Sequence, residues 1–158
     1  MQEIRFDDIA ALQAAVCTEF GDFGPETPVT QEMIERFADL TGDHQWIHVD
    51  VERAKKESPF GGPVAHGFLT LSLVPALRPV RTFAVTGQGS AINYGSDGFR
   101  FLAPVPAGSS VQARSRLAAV AAKPKGTLVT TETAVHVVGS DRPSLLYKGL
   151  VLYGPPRA

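Results

Sequence analysis

Asp43 and His48 are the two side chains whose types and spacing best suit acid-base chemistry. They lie five positions apart in a polar stretch, residues 42–50, that follows a helical pattern. With ordinary pKa values of about 3.9 for aspartate and about 6.5 for histidine, the first is ionised at neutral pH and the second can be neutral. A water molecule between them can lose a proton to Asp43 while His48 orients it, so the pair predicts general acid-base chemistry on water.

Each of these residues also has a simpler interpretation. A single aspartate after a glycine is usually a helix cap, and a single exposed histidine usually has no role. Only the pair, with the Ala65-His66-Gly67 element that follows, favours catalysis. His44 is expected at the rim. No metal is expected, because the chain has one cysteine and its four histidines lack a usual ligand spacing.

Length and charge limit the class of protein. The 158 residues suit one domain, residues 1–158, and the 15 basic and 16 acidic side chains nearly cancel. This balance gives no general reason to expect nucleic acid as a partner. The N-terminus lacks a signal-peptide pattern, and polar residues interrupt the longest apolar run, residues 64–77. We therefore expect a cytoplasmic protein with no membrane partner.

Helical periodicity and capping residues mark four helices in the first half of the chain. In the second helix, Met33, Phe37 and Leu40 fall on one stripe that is predicted to face the core. Pro75 is expected to kink the fourth helix or end it early. The predicted helices cover residues 8–17 after a cap at Asp7 or Asp8, the segment between Thr30 and Gly42, residues 51–56 after Asp50, and residues 66–78.

The second half changes to period-two alternation with many β-branched residues, which is typical of strands. Short turns between the long strands make them antiparallel neighbours. Helices followed by a run of strands predict an α+β fold, in which one apolar helix packs on a curved sheet. The predicted strands cover residues 82–86, 90–95, 98–102, 109–121, 127–138 and 144–153.

These residues resemble the MaoC-like, (R)-specific enoyl-CoA hydratases, and most of all the nodulation-protein-N-like branch. The resemblance spans the chain from the second helix to the last strand. The family pattern is an aromatic residue, Gly-Asp, an aliphatic residue, His, and a small residue six positions later. Those places are filled here by Phe37, Gly42, Asp43, Ile47, His48 and Ala54, and Ala65-His66-Gly67 matches the start of the family's central helix.

The resemblance implies a hot-dog fold, a long antiparallel sheet wrapped around the central helix, and a homodimer with its sites near the interface. It implies hydration of a trans-2-enoyl-CoA to an (R)-3-hydroxyacyl-CoA, with Asp43 and His48 activating water and no cofactor. The Gly67 backbone N–H would stabilise the thioester oxyanion, a role that suits an unpaired donor at a helix N-terminus. Ser72 matches a supporting position.

One departure from the family concerns the usual Asn-Pro between the acid and the histidine, where this chain has Gln45-Trp46. Gln45 keeps the hydrogen-bonding groups of asparagine and is expected to support the site. Trp46 is expected to narrow the acyl pocket. Three further residues are assigned to the substrate-binding surroundings. They are His66, which can also help the helix start, Asn93, which can line the pocket or pack in the core, and Arg100, which can meet a CoA phosphate or pair with an acid across the sheet.

Three alternatives stay open. A hot-dog thioesterase binds the same kind of substrate, but normally carries an acid on the central helix, and no Asp or Glu lies between Gly67 and Arg78. A non-catalytic acyl-thioester-binding protein is disfavoured by the intact Asp43 and His48. A dehydratase acting on acyl carrier protein would use the same residues in reverse, and the sequence does not decide between the carriers.

Overall fold

The computed structural model describes residues 2–81 and 83–156, with helices in the first half and long strands in the second. This order confirms the predicted α+β class. The helices are α1 (Ile9–Ala14), α2 (Gln31–Thr41), α3 (Trp46–Val49), α4 (Val51–Glu57), α5 (Gly67–Ser72) and α6 (Val74–Leu77). The strands are β1 (Gln2–Arg5), β2 (Thr27–Pro28), β3 (Phe83–Thr86), β4 (Ser90–Phe101), β5 (Ser110–Lys123), β6 (Gly126–Val137) and β7 (Leu145–Gly154).

The main sheet is antiparallel and has the order β2-β5-β6-β7-β4. It curls around the central helical segment, which confirms the expected hot-dog architecture. Along β5, Val111, Ala113, Ser115 and Leu117 are buried and alternate with partly exposed residues. This is the alternation that the sequence predicts, because successive side chains of a strand point to opposite faces.

The core lies between α5 and one face of the sheet. Leu69 of α5 packs in one cluster with Val111, Ala113, Val135 and Leu145 of the sheet. Burying an aliphatic side chain of this size stabilises the fold by about 1.5–3 kcal/mol. The cluster fixes α5 against the sheet and so fixes Gly67, the first residue of this helix.

The central helix ends early, as Pro75 predicts. A continuous helix would need a donor at residue 75 for the carbonyl of Leu71, and proline has no N–H. α5 therefore stops at Ser72, and Pro75 lies in the first turn of the short α6, where a missing N–H costs nothing. Arg78 then adopts a left-handed conformation, φ 39°, and ends α6.

Several element boundaries differ from the sequence predictions. The predicted strands 90–95 and 98–102 are one strand, β4, with register shifts at both ends of the segment between Asn93 and Phe99. α1 is shorter than predicted and is capped by Asp8. β1, β2 and α3 were not predicted, since two to four residues carry too little periodicity. Thr82, the first residue of the predicted strand 82–86, lies outside the described residues.

The predicted apolar stripe of α2 is wrong at Leu40, whose side chain is 83% exposed. The fully buried positions are Ile34 and Ala38, with Met33 and Phe37 partly buried beside them. The pattern fits two stripes one residue apart, and only the packing of α2 selects between them.

Over the described ranges, no helix combines the length and the apolar character needed to cross a bilayer.

The two stripes of α2 can be distinguished by stability. Ile34→Ala is expected to lower the free energy of unfolding by about 2–5 kcal/mol, because it leaves a cavity in a fully buried position. Leu40→Ala is the matched control and should change it by no more than about 0.5 kcal/mol. Urea unfolding of both variants measures the difference, and equal losses would contradict this packing of α2.

Candidate functional site

Asp43 lies in the loop between α2 and α3. Gly42 has a φ of 78° and ends α2 in a left-handed turn, which directs the chain away from the helix axis. The Asp43 carboxylate is exposed, and its Oδ1 accepts only a long hydrogen bond, 3.4 Å, from the backbone N–H of Gln45. The carboxylate is therefore free to accept a proton or a hydrogen bond from another molecule.

His48 lies on α3 and is buried, with 7% of its surface exposed. Its Nδ1 is 2.6 Å from the carbonyl oxygen of Val64, which can only accept, so Nδ1 carries the proton. The backbone is also held, since the carbonyl of His48 accepts from Gln31 Nε2 at 2.8 Å. In the neutral ring Nε2 consequently presents a lone pair.

His66 connects the two parts of the site. Its Nε2 donates to the backbone carbonyl of Asp43 at 2.9 Å, and its ring stacks on that of His48 with centroids 3.8 Å apart. The ring is 97% buried, and its Nδ1 has no hydrogen-bond partner among the described residues. His66 thus holds the Asp43 loop over His48 from the start of α5.

The surroundings of His48 favour its neutral form. Burial lowers the pKa of the imidazole, and the neighbouring His66 lowers it further, while the Val64 carbonyl and Asp43 oppose the shift. The net direction is below the ordinary value of about 6.5. His48 is therefore available as an acceptor at neutral pH.

Asp43, His48 and His66 each offer a donor atom within 4.8 Å of the other two. Carboxylate and imidazole are donor types of zinc sites. However, the two rings are stacked with only 28° between their planes, so their in-plane lone pairs do not converge on one point. As placed, the group suits a water molecule better than an ion, and the absence of a metal stays a prediction.

A cavity of about 350 Å³ lies beside His48 and reaches the start of α5. Gly67 is on its wall, and the ring of Phe101 covers this glycine so closely that an added Cβ would lie 2.8 Å from a ring carbon. The backbone N–H of Gly67 belongs to the first helical residue, so the helix gives it no partner. His48 and this N–H thus border one space.

Ser72 and Asn93 do not join this cavity. Both line a second, larger one at the far end of the central helix, and the Ser72 hydroxyl donates to the carbonyl of Phe68. Ser72, which was expected to support the pair, lies more than a helical turn beyond Gly67. Asn93 is exposed on β4 and is not packed in the core.

Three other predicted residues lie outside the lining of both cavities. Gln45 contributes its backbone N–H to Asp43, and its side chain makes no capping bond. The ring of Trp46 lies under the guanidinium of Arg53 at 4.3 Å. Arg100 is exposed on β4 and takes part in no ion pair within the described ranges.

His44 is exposed and lies outside the lining of the cavity beside His48. Its Nε2 lies 2.9 Å from Asp39, and this contact raises the pKa of the His44 imidazole.

The sequence did not point to Gln31, Val64 or Phe101. Gln31 and Val64 act through one amide group and one backbone carbonyl, and Phe101 acts by covering Gly67. All three are distant in sequence from Asp43 and His48, so only the fold brings them to the site.

Comparison with known proteins adds an independent finding. A family model described as the MaoC like domain matches residues 15–138. The chain is 46% identical over 149 residues to 3-hydroxyacyl-thioester dehydratase Z of Mycobacterium tuberculosis, covering 94% of this chain and 97% of that protein. It is 47% identical over 118 residues to Nodulation protein N of Rhizobium leguminosarum bv. viciae, covering 74% and 73%.

Among solved structures, the (R)-hydratase from A. caviae superposes with a TM-score of 0.66. The two sequences are 24% identical, and the match covers 85% of this chain and 96% of the other. This likeness supports the shared fold.

The effect of His66 on His48 can be measured by NMR titration of the ring protons. His66→Gln keeps an N–H donor for the Asp43 carbonyl, and His66→Phe keeps a stacked ring without a donor. Both remove the neighbouring imidazole, so the pKa of His48 is expected to rise toward about 6.5 while burial holds it below that value. An unchanged pKa in both variants would contradict the proposed coupling.

The same depressed pKa links His48 to stability. The unfolded chain binds the proton first as the pH falls below about 6.5. The contribution of neutral His48 to the free energy of unfolding is therefore complete above that pH. It is lost as the pH falls through the pKa of His48 in the folded protein. Urea unfolding between pH 7.5 and 5 should show this loss in the wild type, and a smaller one in the two His66 variants.

Proposed function

This chain belongs to the MaoC-like domain family, and from that membership we propose that it adds water to a trans-2-enoyl-CoA to give the (R)-3-hydroxyacyl-CoA, or removes it in the reverse direction. The relative named 3-hydroxyacyl-thioester dehydratase Z supports a dehydratase or hydratase acting on acyl thioesters. The observation that carries the finer proposal is the neutral His48, which lies within 4.8 Å of the Asp43 carboxylate and lines a cavity that Gly67 also lines.

In this proposal one water molecule is held by two acceptors. One O–H of the water donates to the Asp43 carboxylate and the other to His48 Nε2, the nitrogen that the Val64 contact leaves with its lone pair. Asp43 takes the first proton as the water oxygen bonds to C3 of the enoyl group. The same proton then passes from Asp43 to C2, so the elements of water add across the double bond.

Negative charge develops on the thioester oxygen when C3 is attacked. The Gly67 N–H has no helical partner and lies at the N-terminus of α5, so it can donate to that oxygen. The missing side chain and the overlying Phe101 ring leave a narrow approach to the donor. Asp43, His48 and Gly67 complete the reaction without a cofactor.

The other candidate functions receive less support. The described helices α5 and α6 carry no carboxylate that could activate water as in hot-dog thioesterases. A non-catalytic binding protein would not need a buried histidine whose Nδ1 carries the proton, placed beside an unpaired carboxylate. The cavity beside His48 does not distinguish CoA from acyl carrier protein as the carrier of the acyl group.

We expect Asp43→Asn and His48→Gln each to lower kcat for crotonyl-CoA by about 10²–10⁴-fold, because each removes one of the two acceptors. Loss of the enoyl absorbance measures the reaction, with a thiol reagent in a parallel sample. Asp39→Asn and His44→Gln are the controls. Asp39 and His44 are also an Asp–His pair, but they are exposed and lie outside the site, so both variants should keep wild-type kcat.

Each outcome has a separate meaning. Release of free CoA would indicate a thioesterase, and wild-type activity in either variant would refute the assignment of the pair. No reaction with crotonyl-CoA, longer enoyl-CoA and carrier-protein thioesters would favour a binding protein. Chiral analysis of the product tests the (R) assignment.

The outer strand β4 supports the expected homodimer. Its residues from Ala91 to Phe101 are all exposed, and its outer edge is unpaired within the described sheet. Phe99 and Phe101 form an exposed cluster with Phe68 of α5, with centroids 5.4–5.7 Å apart. Exposed sheet edges and apolar patches of this kind mark interfaces. Phe101 belongs both to this patch and to the lining of the cavity beside His48.

The dimer predicts a sedimenting mass of twice the chain mass of 16.9 kDa. Tyr94→Glu introduces a charge on the exposed edge strand of both copies and should shift the protein toward the monomer. Leu40→Glu is the control, because it adds a charge at an exposed apolar residue on α2. A wild type that sediments as a monomer at micromolar concentration would refute the dimer.

A further inference from the structure

A second cavity, larger than the one beside His48, lies farther along the central helical segment. Its volume is about 700 Å³, against about 350 Å³ for the other. It lies beside the end of the central helical segment, against residues of β5, β6 and β7. Gly149 is part of its lining, where the absent side chain leaves room for the ring of Tyr147.

Two arginines border this cavity. Arg78 and Arg81 both line it, and within the described ranges neither guanidinium lies within 4.0 Å of a carboxylate. Among the described residues, no carboxylate forms a direct ion pair with either guanidinium. A guanidinium binds carboxylates in bidentate geometry, and its donors are always charged.

The backbone of Arg78 is held in place. It has the left-handed conformation, φ 39°, which is uncommon for a residue with a side chain. Gly24 lies against this backbone, and an added Cβ there would lie 2.5 Å from the Arg78 carbonyl oxygen. The close contact with Gly24 thus supports a conformation that places this arginine at the cavity.

The rest of the lining combines apolar and hydroxyl groups. Leu71, Val74 and Val151 provide apolar surface, and Thr131 and Thr133 provide hydroxyls near the middle of the sheet. A ligand that fits this lining has an apolar chain and an anionic end.

The two cavities follow one another along the central helix. Thr70 lines the first and Leu71 the second. At about 1.5 Å per helical residue, Leu71 lies roughly 6 Å along the helix axis from Gly67. An acyl chain of medium length that is bound by its thioester at Gly67 is therefore long enough to extend to the second cavity, where Arg78 and Arg81 lie exposed.

We propose that the cavity bounded by Arg78, Arg81, Thr131 and Tyr147 binds the far end of the acyl chain, and that this chain ends in a carboxylate. The substrate class is then the mono-thioester of a dicarboxylic acid. This inference rests on the proposed function for the position of the thioester, and it adds the identity of the other end of the chain.

The test measures binding without turnover. Decanoyl-CoA and the mono-CoA thioester of decanedioic acid have the same chain length and differ only at the far end, and neither has the double bond that the reaction needs. Isothermal calorimetry should show that the wild type binds the dicarboxylic thioester about 10- to 100-fold more tightly, as expected for charge-assisted hydrogen bonds from two arginines.

The variants are chosen so that the fold survives. Arg78→Gly removes the guanidinium and keeps the turn, since glycine adopts a positive φ at no steric cost. Combined with Arg81→Gln, it should abolish the preference while leaving the affinity for decanoyl-CoA within about twofold. Arg36→Gln, an exposed arginine of α2, is the control and should keep the preference.

Two results would overturn the proposal. Equal affinity of the wild type for both thioesters would show that the cavity does not recognise the carboxylate. An equal loss of affinity for both in the double variant would show that the arginines bind the phosphates of CoA. Because neither ligand reacts, failure of the hydration assay would overturn the proposed function alone.

Discussion

The hydrogen bond from His48 Nδ1 to the carbonyl of Val64 is the contact on which the arrangement of the site depends. A second hydrogen bond runs from the Val64 N–H to the carbonyl of Ile47 at 3.1 Å. These two bonds hold α3 against the segment before α5. One bond sets the position of the imidazole and its tautomer at once, because a carbonyl can only accept.

From this contact the remaining geometry follows. The chain continues from Val64 through Ala65, whose N–H donates to the carbonyl of Val105, to His66 and the start of α5. His66 reaches back to the Asp43 carbonyl and places its ring against His48. The loop with the carboxylate and the helix with the Gly67 N–H are thus two ends of one hydrogen-bonded unit. Any shift of the segment around Val64 moves the acid, the imidazole and the N–H donor together.

The short central helix separates two spaces with different chemistry. Near Gly67 the cavity is small and bordered by His48, which suits the reacting atoms. Beyond Ser72 the helix breaks, and α6 then packs Leu77 into the core. A larger space lies beside this segment, lined by hydroxyl groups and by two arginines.

The sequence by itself determined the class of fold, because periodicity of 3.6 and of 2 residues is a property of each segment alone. It also determined the family, and it selected Asp43 and His48 as the candidate pair, because their spacing is local. It could not decide which stripe of α2 is buried, since Ile34 and Leu40 are both apolar and only packing against the sheet separates them.

Tertiary structure alone decided the partners of the site. Val64 acts through a backbone carbonyl, which every residue has, so nothing in its identity marks it. The placement of Ser72 and Asn93 at a different cavity from His48 depends on where the helix breaks and how far the sheet curls. Long-range contacts of this kind join residues tens of positions apart, and no local pattern in the chain encodes the distance between them.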